Sequence, residues 1–120
     1  MSKLRPATVV LNSGLWRTPG DEPWPPRVYD VIMAAAREAV ASQGGTCIWK
    51  TTTFARDQRI PRGWDNRAVA HAARHGWRVM DAWALTRPAL QLQPPPYYDD
   101  LHFVGYPYEE LNHFLLNMIC

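Results

Sequence analysis

Three short runs rich in β-branched and aromatic residues, Ala7–Leu11, Thr46–Thr52 and Trp77–Met80, alternate along the chain with segments of helical periodicity. Each run matches the length of a buried strand rather than a helix. Between the first two, Val28, Val31, Ile32, Ala35, Ala36, Ala39 and Val40 recur at helical spacing from Pro26 to Ser42, and Gly44 and Gly45 supply a stop. Between the last two, Asp65 can cap a helix that runs to about Arg74, with His75 and Gly76 closing it. Strand, helix, strand, helix, strand at this spacing predicts parallel strands joined by helical crossovers of one hand. In such sheets, ligand sites lie beyond the carboxyl ends of the strands.

After Asp81 the spacing predicts a Pro-rich loop over Arg87–Pro96, a polar aromatic stretch Tyr97–Val104, and a last amphipathic helix. Pro107 stands near the start of that helix, with Leu111, Phe114, Leu115 and Met118 on one face. The expected architecture is an α/β unit, a parallel sheet of about three strands with flanking helices in three α/β/α layers, within one domain over 1–120. Three strands alone leave an open sheet edge that needs covering or pairing.

Composition narrows the function. Hydrophobic residues make up 47% of the chain and charged residues 20%, so it has a core to bury. Thirteen basic and 11 acidic residues give a net charge of +2 without a long like-charge block, which argues against a nucleic-acid or membrane-surface partner. No run reaches the roughly 18 apolar residues of a membrane span, and Met1–Thr8 has no apolar signal-peptide core. Cys47 and Cys120 lack metal-ligand spacing, and Cys47 sits in an apolar run, as a buried structural thiol does.

The sharpest chemical candidate is Asp99-Asp100-Leu101-His102. A separation of three lets one turn of chain bring a carboxylate against the imidazole Nδ1 while Nε2 faces outward, the orientation of a general base. Asp100 is the alternative carboxylate. The same spacing also serves as a cap or a solvated turn. His71 and His75, four apart on a helix, could bind a metal but lack the glutamate of a zinc-protease motif, and a surface pair is the simpler reading. A metal-dependent hydrolase would need both near His102. No cofactor is expected.

Four segments taken together carry a resemblance: Val9-Val10-Leu11-Asn12-Ser13-Gly14-Leu15-Trp16, Ile48-Trp49-Lys50-Thr51-Thr52-Thr53, Gly76-Trp77-Arg78-Val79-Met80-Asp81, and Asp99-Asp100-Leu101-His102-Phe103. In this order they resemble the PC-esterase branch of the SGNH (GDSL-like) hydrolases, whose members add or remove acyl groups, often acetyl, on glycans. The resemblance covers the later, C-terminal half of that three-layer fold. It implies Asp99 and His102 as two members of a catalytic triad and Asn12 or Gly14 as oxyanion donors. Lys50, Thr51 and Arg56 would be substrate contacts at the exit of the second strand. Asn12 and Gly14 can equally build a tight turn, and the exit residues can be solvated loop.

The Gly-Asp-Ser nucleophile segment of that family is absent, and the only serines are Ser2, Ser13 and Ser42. Ser13 lies in a loop expected at the site, although in the family that loop supplies oxyanion donors. The resemblance therefore implies a partial domain, inactive alone, whose partners are an acylated glycan or small ester and the missing N-terminal part of its own domain. For a full-length protein it implies residence in the secretory pathway. The competing class is a noncatalytic glycan-binding module that has dispensed with the nucleophile. In such a module Tyr97, Tyr98, Tyr106 and Tyr108 could pack on sugar rings.

Overall fold

A computed structural model of the chain describes residues 7–12, 24–56 and 63–119. The elements are β1 (Thr8–Leu11), α1 (Pro26–Ala41), β2 (Thr46–Lys50), α2 (Gly63–Arg74), β3 (Arg78–Met80), α3 (Ala82–Thr86), a 3-10 turn (Arg87–Gln91) and α4 (Tyr106–Ile119). The sheet has three strands in the order β1-β2-β3, all parallel, with flanking helices. Thr8 pairs with Thr46 and Leu11 with Trp49, while Ile48 pairs with Arg78 and Lys50 with Met80.

Strand alternation sorts the core into two layers. Cys47 and Trp49 face α1 and α2, where they pack with Tyr29, Met33, Val40, Ala68, Ala72 and Trp77. Ile48, between them in sequence, faces the other way and packs with Met80, Ala82 and Leu111, with Val10, Leu115 and Met118 at the margin. Both crossover helices thus cover one face, as crossovers of one hand require when the strands advance in one direction. The terminal helix covers the other face, and each fully buried Ile or Leu contributes about 1.5–3 kcal/mol.

Both crossover helices stop in the same way. Gly44 and Gly76 adopt positive φ, at 64° and 69°. Gly45 N–H then donates to Val40 O and Trp77 N–H to Ala72 O, each at 2.9 Å, the long closing bond of a Schellman motif. The chain is thereby turned straight into β2 and β3.

Three expectations need correction. Helix α2 starts at Gly63, so Asp65 lies in its first turn rather than at its cap. Strand β2 ends at Lys50 rather than Thr52, although Thr51 N–H still donates to Met80 O at 3.0 Å. The stretch after Asp81 is not simply loop: Asp81 caps α3 by accepting from Ala84 N–H at 3.1 Å, and the 3-10 turn occupies Arg87–Gln91.

Candidate functional site

The Tyr97–Val104 stretch folds back on itself. Tyr97 and Phe103 form an antiparallel bridge, Tyr98 N–H donates to His102 O at 2.7 Å, and Val104 N–H donates to Pro96 O at 2.9 Å. The Tyr97 and Phe103 rings lie 4.4 Å apart, and Phe103 meets Tyr108 of α4 edge-on at 5.8 Å. The lap is tied to the exit of β2 by Tyr97, whose hydroxyl donates to Phe54 O at 2.9 Å. Phe54 N–H in turn donates to the Thr86 hydroxyl at 2.8 Å, and the Phe54 ring packs on Trp83 at 4.9 Å. Burial of the Tyr97 phenol raises its pKa above 10, with Arg56 opposing the shift.

At the tip of the lap, Asp99 organises the turn. Its Oδ1 accepts the backbone N–H groups of Leu101 and His102, both at 2.7 Å. His102 Nδ1 lies 2.8 Å from Oδ2 and 3.0 Å from Oδ1. These bonds, the imidazole first and the two amides next, hold the Asp99 carboxyl at about 2. A carboxylate that stays ionised to such acidity only accepts, so in the neutral imidazole Nδ1 carries the hydrogen and Nε2 the lone pair. Among the described residues nothing bonds Nε2, and the His102 side chain is 63% exposed. The arrangement can take a proton from an incoming hydroxyl and return it. Asp100 is exposed and makes no hydrogen bond among the described residues.

The other expected site residues spread along the carboxyl end of the sheet. Asn12, just past β1, donates its side-chain amide to Lys50 O at 2.6 Å, which commits one amide hydrogen and leaves one. No hydrogen bond joins Asn12 to Asp99 or His102. Gly14 and Ser13 lie outside the described residues, as do Ser2 and Cys120, whereas Ser42 sits at the far end of α1. Lys50 is half-buried, and Arg56 is exposed on the loop that receives Tyr97. Thr51 is corrected from substrate contact to fold residue. It is 2% exposed, and its hydroxyl accepts from Trp83 N–H at 3.1 Å and faces Asp81 Oδ1 at 3.4 Å.

His71 and His75 are not a solvated surface pair. His71 Nδ1 and His75 Nε2 both meet Asp30 Oδ1 of α1, at 2.8 and 2.9 Å, and His71 stacks on Tyr29 with centroids 5.4 Å apart. Arg74 places a guanidinium nitrogen 3.3 Å from the same oxygen, so the cation of this cluster is already a side chain. The two imidazoles, aided by Arg74, hold the Asp30 carboxyl at about 2. Among the described residues no group of three metal-capable side chains is arranged to bind an ion. The cluster clamps α1 to α2, and His102 belongs to a different one. Cys47 is a buried free thiol whose pKa is raised by that burial.

A cavity of about 360 Å³ opens between α3, the 3-10 turn and α4, and neither Asp99 nor His102 lines it. The sequence carries no signal for it, because the spacing predicts a loop over Arg87–Pro96 and assigns no element to the residues of α3. Comparison of the chain with protein-family models, with curated proteins and with solved structures finds no match.

Proposed function

We propose that Asp99 and His102 are the orienting carboxylate and the general base of an SGNH-type serine esterase or O-acyltransferase acting on acyl esters of glycans, chiefly acetyl. The serine belongs to a segment outside these 120 residues. The observation that carries this reading is the Asp99 carboxylate 2.8 Å from His102 Nδ1 with Nε2 exposed and unbonded.

His102 Nε2 takes the serine proton as the hydroxyl oxygen attacks the ester carbonyl, and Asp99 stabilises the imidazolium. The remaining Asn12 amide hydrogen, or Gly14 N–H, donates to the oxyanion, an interaction worth about 3 kcal/mol where it has been removed from hydrolases. His102 then protonates the leaving alcohol. Water or an acceptor hydroxyl resolves the acyl-enzyme by the same steps in reverse. The chain alone turns over little or no ester.

The test is hydrolysis of p-nitrophenyl acetate by this chain and by a longer gene product that contains it, each beside its His102→Ala variant. Activity in the longer product that vanishes with His102 supports the reading; activity that survives the substitution ends it. One observation favours the noncatalytic module as a second reading: Tyr98, next to Asp99, is 80% exposed and presents an aromatic face of the kind that packs on sugar rings. Glycan binding that is lost in Tyr98→Ala, with no esterase activity in either form, would favour it.

A further inference from the structure

The cavity between α3, the 3-10 turn and α4 has a chemical character of its own, and it does not depend on the role given to Asp99 and His102. Its body is aliphatic, with Leu85, Ala89 and Leu92 on one wall. The opposite wall is a stripe of α4. Tyr106, Glu110 and Phe114 follow one another at intervals of four, so they share one helix face. Glu110 thus lies between two aromatic residues along that stripe. At about 360 Å³ the volume lies near the lower end of small-molecule sites, and Tyr106 and Phe114 are both more than two-fifths exposed at its mouth.

The charge and hydrogen-bonding capacity of the lining select the ligand. Glu110 is the one charged residue among those that line the cavity, and no ion pair engages it among the described residues. Thr86 also lines the cavity, but its hydroxyl is committed to Ala82 O at 2.6 Å and to Phe54 N–H. A sugar would therefore find few partners, and an anion would be repelled. A neutral apolar ligand would strip water from the Glu110 carboxylate and return nothing, which is costly. A primary ammonium would also pair with the Glu110 carboxylate, but it is compact and strongly hydrated and would have to shed that water to meet the rings. A quaternary ammonium is weakly hydrated by comparison, is attracted to aromatic faces, and neutralises the carboxylate.

We propose that this cavity binds a small quaternary ammonium compound, with the cationic head held by Glu110 between Tyr106 and Phe114 and a short aliphatic body against Leu85, Ala89 and Leu92. The head is recognised by charge and by ring faces, the tail by the aliphatic wall.

The experiment titrates the full chain with three probes sharing one six-carbon tail, hexyltrimethylammonium, hexan-1-ol and hexyl sulfate, and follows backbone amide shifts. The expected result is saturable binding of the cation that perturbs Leu85, Ala89, Leu92, Glu110 and Phe114, about fivefold or more tighter than hexan-1-ol, with hexyl sulfate weakest. In Glu110→Gln, an exposed position whose change leaves the packing alone, the preference for the cation over hexan-1-ol disappears. Equal binding of cation and alcohol, or an undiminished preference in Glu110→Gln, would overturn the proposal. So would concentration-dependent self-association through α4 that the cation does not compete with, which would give the groove to a second copy.

Discussion

The Tyr97 hydroxyl donates to the Phe54 carbonyl across 43 residues of chain, and that bond joins the lap carrying Asp99 and His102 to the exit of the central strand. Tyr97→Phe removes the donor and keeps the ring packed on Phe103. We expect a loss of about 0.5–1.5 kcal/mol in unfolding free energy. Faster amide exchange at Tyr98 and Val104, whose N–H groups close the lap, should accompany it. Unchanged exchange there would mean that ring packing alone holds the lap.

Asp99→Asn keeps the size of the side chain but weakens its acceptance from the imidazole and stops favouring the Nδ1–H tautomer. In a longer product with the proposed esterase activity, we expect kcat to fall by about 10³–10⁴-fold, with His102→Ala at least as damaging. Asp100→Asn serves as the control and should change kcat little. A large effect at Asp100 with a small one at Asp99 would reassign the carboxylate.

Acid should loosen the protein through Asp30 and Asp99. Both carboxyls are held at about 2 against an ordinary 3.8. A depressed folded pKa gives stability that is fully present above 3.8 and is lost as pH falls through about 2. Urea midpoints measured from pH 5 down to pH 2 should fall across that window. The fall should be shallower in Asp30→Asn and in Asp99→Asn, each of which removes one of the two titrating groups.

Thr51→Val preserves shape and deletes the hydroxyl that accepts from Trp83 N–H, leaving that donor without its partner. The expected loss is about 1–3 kcal/mol, readable by chemical denaturation. If Thr51 faced substrate instead, the variant would keep its stability.

Gly45→Ala meets a different obstacle. A Cβ there would stand 2.5 Å from Ala7 O and 2.6 Å from Val40 Cβ, so either β1 or the end of α1 must move. Thr46 N–H donates to that same Ala7 carbonyl. We expect a destabilisation of at least about 1–3 kcal/mol, the usual cost of overpacking, and a lower melting temperature. Gly44→Ala, with nothing within 4 Å of its Cβ, carries only the strain of its positive φ.

What was legible in the sequence was what is local. Strand and helix alternation follows from residue periodicity, and the Asp99–His102 contact spans three residues, so spacing alone could express it. The Asp30 clamp was not legible, because its carboxylate stands 41 and 45 residues from the imidazoles that it holds. Thr51 was read as a site residue because a strand exit fixes a position along the sheet but not which groups will bury it. The short helix after Asp81 is not legible because its five residues are too few to display a helical period. The cavity went with it, since it exists only where that helix and the 3-10 turn meet α4.

The two faces of the sheet differ in how they are sewn together. The α1 and α2 face is built from one continuous stretch of chain, whose strands pair only when both crossovers are in place. On the other face α4 follows the last strand and adds none, resting on Ile48, Met80 and Ala82 mainly through Leu111. It can lift away without unpairing a single rung of the sheet, so its release is separable from unfolding of the sheet. Since the Asp99–His102 lap leads directly into it, whatever seats α4 firmly also steadies that lap.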